Sequence, residues 1–143
     1  TFESADAYYA HLADHMGAED HAAIRRRAAE VASPGHDAVV SDLRGRLERL
    51  EPRLAAAGPE HRLAVVGGAV MRLGDYLATR IVEQVVHLDD LARSVAVDLS
   101  PTPERCVQTA LAVGTAIGRR RFGDAAMVRA LYRRTDASPL PVL

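Results

Sequence analysis

Residues 75–95 read DYLATRIVEQVVHLDDLARSV, the clearest stretch of the chain in which apolar residues recur at helical spacing. Apolar side chains three or four positions apart fall on one side of an α-helix. We therefore predict a long amphipathic helix here, in an all-α bundle whose other helices cover its apolar face. The residues of that face are Leu77, Ile81, Val85, Leu88, Ala92 and Val95.

Helical patterns also flank this stretch on both sides. The helices predicted there span about residues 4–17, 20–33, 37–57, 102–121 and 124–133. Ser, Thr and Asp side chains accept hydrogen bonds from the first turn of a helix, so four such residues are expected at N-cap positions. They are Ser4, Asp20, Thr102 and Asp124.

The segment before the long helix follows a different pattern. Residues 63–71 read LAVVGGAVM, which is two short apolar runs around Gly67 and Gly68. Adjacent glycines readily adopt the positive φ values that tight hairpin turns require. We predict a small two-stranded β-ribbon here, lying against the helices because two strands alone are only marginally stable.

Length and composition favour one helical domain. The chain has 143 residues, within the range of a single core. Hydrophobic residues make up 48% of it but aromatic residues only 4%, a composition that suits close-packed helices better than sheets. We therefore expect a single domain over residues 1–143. The sequence starts at Thr1, without a methionine, so further helices are expected upstream of it.

Charge and cysteine content narrow the possible partners and compartment. The formal net charge is −1, which provides no electrostatic attraction for nucleic acid. No apolar run approaches the roughly 18 residues of a membrane span and no signal peptide is visible, so we expect no membrane partner. Cys106 is the only cysteine and excludes an intrachain disulfide, which fits a cytoplasmic location.

A polar stripe on the long helix is the candidate site for chemistry. At about 100° per residue, Glu83 and His87 fall on one stripe with Tyr76, Arg80 and Asp90. The stripe lies between the apolar face and a second apolar side, so part of it is expected to face a cavity. A carboxylate and an imidazole four residues apart can share a divalent metal at about 2.0–2.2 Å. The alternative is an ordinary surface contact, worth about 0.2–0.5 kcal/mol.

The same helix carries a family resemblance. Its Asp-Tyr-Leu-x-x-Arg start at Asp75, the Glu-x-x-x-His of Glu83 and His87, and the His-x-x-Asp-Leu that follows resemble the mycothiol-dependent maleylpyruvate isomerase family. That family belongs to the DinB-like superfamily of metal-binding four-helix bundles. The ribbon before the helix and the stretch around residues 121–124 resemble it too, so the likeness covers about residues 65–134.

The resemblance implies a metal site and a thiol cofactor. It makes Glu83 and His87 two ligands of a divalent metal, usually zinc, and it places the third ligand, a histidine on an earlier helix, upstream of Thr1. The thiol it implies is mycothiol, which actinobacteria make. All 18 basic residues are arginine, which fits the codon usage of such GC-rich genomes.

Two functions remain open at this point. The first is a metal-dependent transferase or isomerase that uses a mycothiol-type thiol and an electrophilic small molecule, with Tyr76, Arg80 and Asp90 orienting the ligands or lining the pocket. The second is a non-catalytic helical module for protein association, whose metal site has decayed. A homodimer is compatible with both. His11 and His15 are also four residues apart and could supply a ligand, but we expect them to face solvent.

Overall fold

The computed structural model describes residues 1–65, 68–98 and 101–133. Over these residues the chain forms helices joined by short connections, together with one two-stranded sheet. The prediction of an all-α fold with a small ribbon is therefore confirmed. The helices are α1 (Ala5–His15), α2 (Ala18–Ala32), α3 (His36–Ala57), α4 (Leu73–Val95), α5 (Glu104–Phe122) and α6 (Asp124–Tyr132).

The predicted N-cap is right for the first helix and wrong for the second. The Ser4 hydroxyl accepts a hydrogen bond from the Ala7 N–H at 3.4 Å, as a cap should. The N-cap position of helix α2 is Gly17, three residues before the predicted Asp20. Asp20 instead lies inside the first turn, where its carboxylate accepts from the Gly17 N–H at 2.9 Å. An acidic group there is also favoured by the positive end of the helix dipole.

The predicted caps of the two C-terminal helices are each wrong by one residue. Pro103 rather than Thr102 precedes the first residue of α5. Gly123 has a φ of 82°, a value that favours glycine, and it is both the C-cap residue of α5 and the N-cap residue of α6. Asp124 is consequently the first residue of α6, and it is paired with Arg119 at 2.7 Å.

The ribbon lies where the sequence predicted it and leads directly into α4. Strand β1 (Arg62–Ala64) pairs antiparallel with β2 (Val70–Arg72). Met71 in β2 is 0% exposed, so the ribbon is packed against the helices as expected. Gly68 has a φ of 74°, which agrees with the predicted turn, whereas Gly67 lies outside the described residues.

The core lies between α1, α4 and α5, each of which contributes one side chain to its centre. These side chains are Tyr9, Val82 and Ile117, which are 8%, 2% and 6% exposed. Ala110 and Val113 of α5 pack around them. Helices α2 and α3 lie outside this core, since neither contains a buried residue. No helix in the described stretches is both long and apolar enough to cross a membrane.

The core side of α4 agrees with the prediction only in part. Ala92 of the predicted apolar face is buried, but Leu88 and Val95 are 46% and 58% exposed. Thr79 and Val82, on the other side of the polar stripe, are buried instead. The reason is tertiary, because α1 and α5 pack against α4 on the side that includes Val82. The polar stripe therefore borders the core.

An ion pair joins α1 to α5 near the edge of the core. The Arg120 guanidinium donates to the Asp6 carboxylate at 2.8 Å, and the Asp6 side chain is mostly buried. Burial opposes ionisation of Asp6, but hydrogen bonds from Ser4 and Arg120 outweigh this effect and lower the pKa of its carboxyl. A carboxyl whose pKa is lowered by folding stabilises the fold only where it is ionised.

Asp6→Asn is expected to lower the free energy of unfolding by about 0.2–1 kcal/mol near pH 7. The carboxylate contributes above its unfolded-state pKa, and this contribution is lost as pH falls through the lower folded-state pKa. The difference in stability between the wild type and the variant should therefore disappear as pH falls below the lowered pKa of Asp6. Urea unfolding over a series of pH values measures this difference. An equal loss at neutral and acidic pH would show that the ion pair is not its cause.

Candidate metal site

Glu83 and His87 meet on the outer edge of α4. The Glu83 Oε2 and His87 Nε2 atoms lie 3.2 Å apart, as their spacing of four residues predicts. The Glu83 side chain is 35% exposed and that of His87 is 69% exposed. The Glu83 carboxylate thus lies at the edge of the core, whereas the His87 imidazole is exposed to solvent, where a ligand can reach it.

Asp90 contacts the other ring nitrogen of His87. Its Oδ2 atom lies 3.5 Å from Nδ1, one helical turn beyond the imidazole. This is an electrostatic contact rather than a hydrogen bond, and it places a carboxylate beside Nδ1. The sequence predicted that Asp90 orients the ligands, and that role stays a prediction.

Tyr9 of α1 holds the second oxygen of Glu83, a contact that sequence reasoning missed. The Tyr9 hydroxyl donates to Glu83 Oε1 at 2.8 Å and lies 3.0 Å from the Thr79 carbonyl oxygen. Burial raises the pKa of the Tyr9 phenol, and the hydrogen bond to Glu83 raises it further. Tyr9 therefore remains a protonated donor at neutral pH and fixes the orientation of the carboxylate.

Tyr76 and Arg80 lie on the same stripe, but their side chains line a groove and do not pair with Glu83 or His87. The Arg80 guanidinium lies 5.1 Å from the centre of the Tyr76 ring, and its Nε donates to the Thr79 hydroxyl at 3.1 Å. In the described part of the chain neither side chain makes a hydrogen bond or ion pair with Glu83 or His87. Both instead line a groove of about 1090 Å³ between α3, the ribbon and α4. The expected cavity beside the stripe is present.

The geometry of the pair is compatible with a metal, because it brings two potential ligand atoms together. Two ligand atoms at 2.0–2.2 Å from a tetrahedral zinc lie about 3.3–3.6 Å apart, close to the observed 3.2 Å. No group of three His, Cys, Asp or Glu side chains in the described ranges is placed to hold a metal ion. His15 is exposed as predicted, whereas His11 is half-buried, with its ring 5.1 Å from that of Phe2.

Comparison with known protein families gives a match that runs from α1 into α4 and includes the Glu83 and His87 pair. A sequence model of the mycothiol maleylpyruvate isomerase N-terminal domain matches residues 2–92, which include Tyr9, Glu83, His87 and Asp90. The chain belongs to this family. The match begins much earlier than the predicted residue 65 and ends before α5. No curated protein and no solved structure matches the chain.

Proposed function

We propose that this member of the mycothiol maleylpyruvate isomerase N-terminal domain family is a metal-dependent transferase or isomerase that uses a mycothiol-type thiol. Glu83 and His87 hold a divalent metal, most suitably zinc. The observation that carries the proposal is the 3.2 Å approach of Glu83 Oε2 to His87 Nε2, with a separate partner on the far atom of each side chain. The resemblance assigns the third ligand to a histidine on an earlier helix.

Each neighbouring side chain has a defined task in this proposal. Tyr9 donates to Glu83 Oε1 and leaves Oε2 available for the metal. Asp90 places a carboxylate beside His87 Nδ1, which favours a proton on that nitrogen and leaves the Nε2 lone pair for the metal. Partners of this kind, which fix the rotamer and basicity of ligands, commonly account for about 10–100-fold in metal affinity. Groups on two different helices therefore orient both ligand side chains before a metal binds.

The chemistry that a bound divalent metal supplies is a lowered pKa for a thiol or a water at its open position. The pair's exposure on the side of the imidazole gives a small-molecule thiol access to that position. The half-buried carboxylate keeps the opposite side closed to solvent. The second reactant is an electrophilic small molecule, and the reducing cytoplasm is the compartment in which a thiol cofactor stays reduced.

Cobalt substitution tests the metal and the thiol in one experiment. Cobalt-loaded wild type is expected to gain a near-ultraviolet charge-transfer band when mycothiol is added, because thiolate coordination produces such a band. Glu83→Gln should lose both cobalt binding and the band, while Glu48→Gln, at an exposed position of α3, should behave as wild type.

Three results would contradict the proposal. Cobalt binding without a thiol band would remove the thiol from the mechanism and leave a metal site with another reactant. Equal cobalt binding by wild type and Glu83→Gln would place the metal elsewhere. A failure of all three proteins to bind cobalt would favour the second reading, a non-catalytic helical module.

A further inference from the structure

The groove beside the candidate metal site has two apolar walls. The C-terminal half of α3 forms one wall with Leu50 and Leu54, and the first half of α4 forms the other with Leu77 and Ile81. Its volume of about 1090 Å³ is at the upper end of the range for small-molecule pockets. A groove of this size and lining can bury the apolar body of a small organic molecule.

The permanently charged side chains of the same groove are two arginines, and its lining also includes the neutral polar residues Tyr76 and Gln84. Arg53 reaches it from α3 and Arg80 from α4, and His61 lies at the ribbon end. Among the described residues, no carboxylate lines the groove, and neither arginine forms an ion pair with an acidic side chain. Arginine is the side chain best suited to bind a carboxylate through two parallel hydrogen bonds.

We propose that this groove binds a soluble organic carboxylate with an apolar body. The body lies against the leucines of α3 and α4, and the carboxylate is held between Arg53 and Arg80. A cation is disfavoured because the groove has two arginines and, among the described residues, no carboxylate, and a neutral molecule would leave both guanidinium groups without an ionic partner. The site therefore selects amphipathic anions over neutral and cationic analogues of the same length.

Binding in the groove does not require a metal, but the position connects it to the proposed function. Arg80 lies one helical turn before Glu83, so the bound anion is adjacent to the candidate metal site. If the proposed function holds, this anion is the class of the electrophilic substrate. The inference rests on the proposed function for that last step only. A test on metal-free protein therefore separates failure of the groove from failure of the metal site.

Octanoate, 1-octanol and octylammonium share one chain length and differ in head-group charge. Titrated into metal-free, isotope-labelled protein and followed by NMR, octanoate is expected to shift the resonances of α3 and α4 that line the groove. Octanol and octylammonium should bind about tenfold more weakly or not at all, since neither can form the charge-assisted hydrogen bonds that a carboxylate makes with arginine.

Matched arginine variants locate the carboxylate. Arg53→Gln and Arg80→Gln are each expected to weaken octanoate binding by about five- to tenfold. Arg46→Gln on α3 and Arg93→Gln on α4 are the controls, because these arginines are exposed and paired with Asp42 and Asp89.

Three results would overturn the inference. Octanol binding as tightly as octanoate would show that charge plays no part. Equal affinity in all four variants, or shifts confined to α5 and α6, would place the ligand elsewhere. A dimer that fails to bind octanoate would identify the groove as an interface between two copies of the chain.

Discussion

Ile117→Ala is expected to lower the free energy of unfolding by about 2–5 kcal/mol. The Ile117 side chain is 6% exposed and packs directly against Tyr9 and Val82. Truncating it removes apolar contacts and leaves a cavity where three helices meet, and the few other buried side chains cannot close that space. The loss should be large because α1, α4 and α5 share this one cluster.

Leu111→Ala provides a matched control on the same helix. Leu111 is 67% exposed, so its truncation should change the free energy of unfolding by less than about 0.5 kcal/mol. Urea unfolding of the wild type and both variants at neutral pH measures the contrast. Similar losses at the two positions would mean that α5 presents a different face to α1 and α4, and the site geometry built on that packing would fail with it.

Tyr9→Phe is expected to weaken metal binding by about 10–100-fold. The substitution removes only the hydroxyl that donates to Glu83 Oε1 at 2.8 Å. Without that donor the carboxylate can rotate, and its half-buried oxygen loses a hydrogen bond that water replaces only in part. Competition titration with a zinc-binding dye measures the change in affinity, and urea unfolding checks that the variant remains folded.

Tyr132→Phe is the control for the Tyr9 experiment, since Tyr132 is 83% exposed on α6 and should leave zinc affinity unchanged. Unchanged zinc affinity in a folded Tyr9→Phe variant would show that Glu83 does not need this hydrogen bond to act as a ligand. An equal loss in both variants would point to a general effect on the bundle rather than on the carboxylate.

The elements nearest the site were predictable because local patterns specify them. The periodicity of residues 75–95 identified α4, and the glycines at 67 and 68 identified the ribbon that precedes it. The contact between Glu83 and His87 follows from helical spacing alone. The caps were less predictable, because Gly17 and Gly123 displaced the acidic residues that sequence rules prefer.

Contacts between helices could not be read from the same patterns. Helix α4 is apolar on both sides of its polar stripe, so periodicity favoured the side of Leu88 although α1 and α5 pack on the side of Val82. Tyr9 was missed because no local pattern in α1 distinguishes it from its neighbour Tyr8, which is also buried. Its role depends on a docking of α1 against α4 that joins residues 74 positions apart.

Metal content tests the central claim most directly. The purified protein, its His87→Ala variant and a His21→Ala control at an exposed position of α2 would be supplemented with zinc, desalted and measured by elemental mass spectrometry. We expect about one equivalent of zinc in the wild type and the control, and a loss of that zinc in His87→Ala. Equal zinc in all three proteins, or none in any of them, would contradict a metal site at Glu83 and His87.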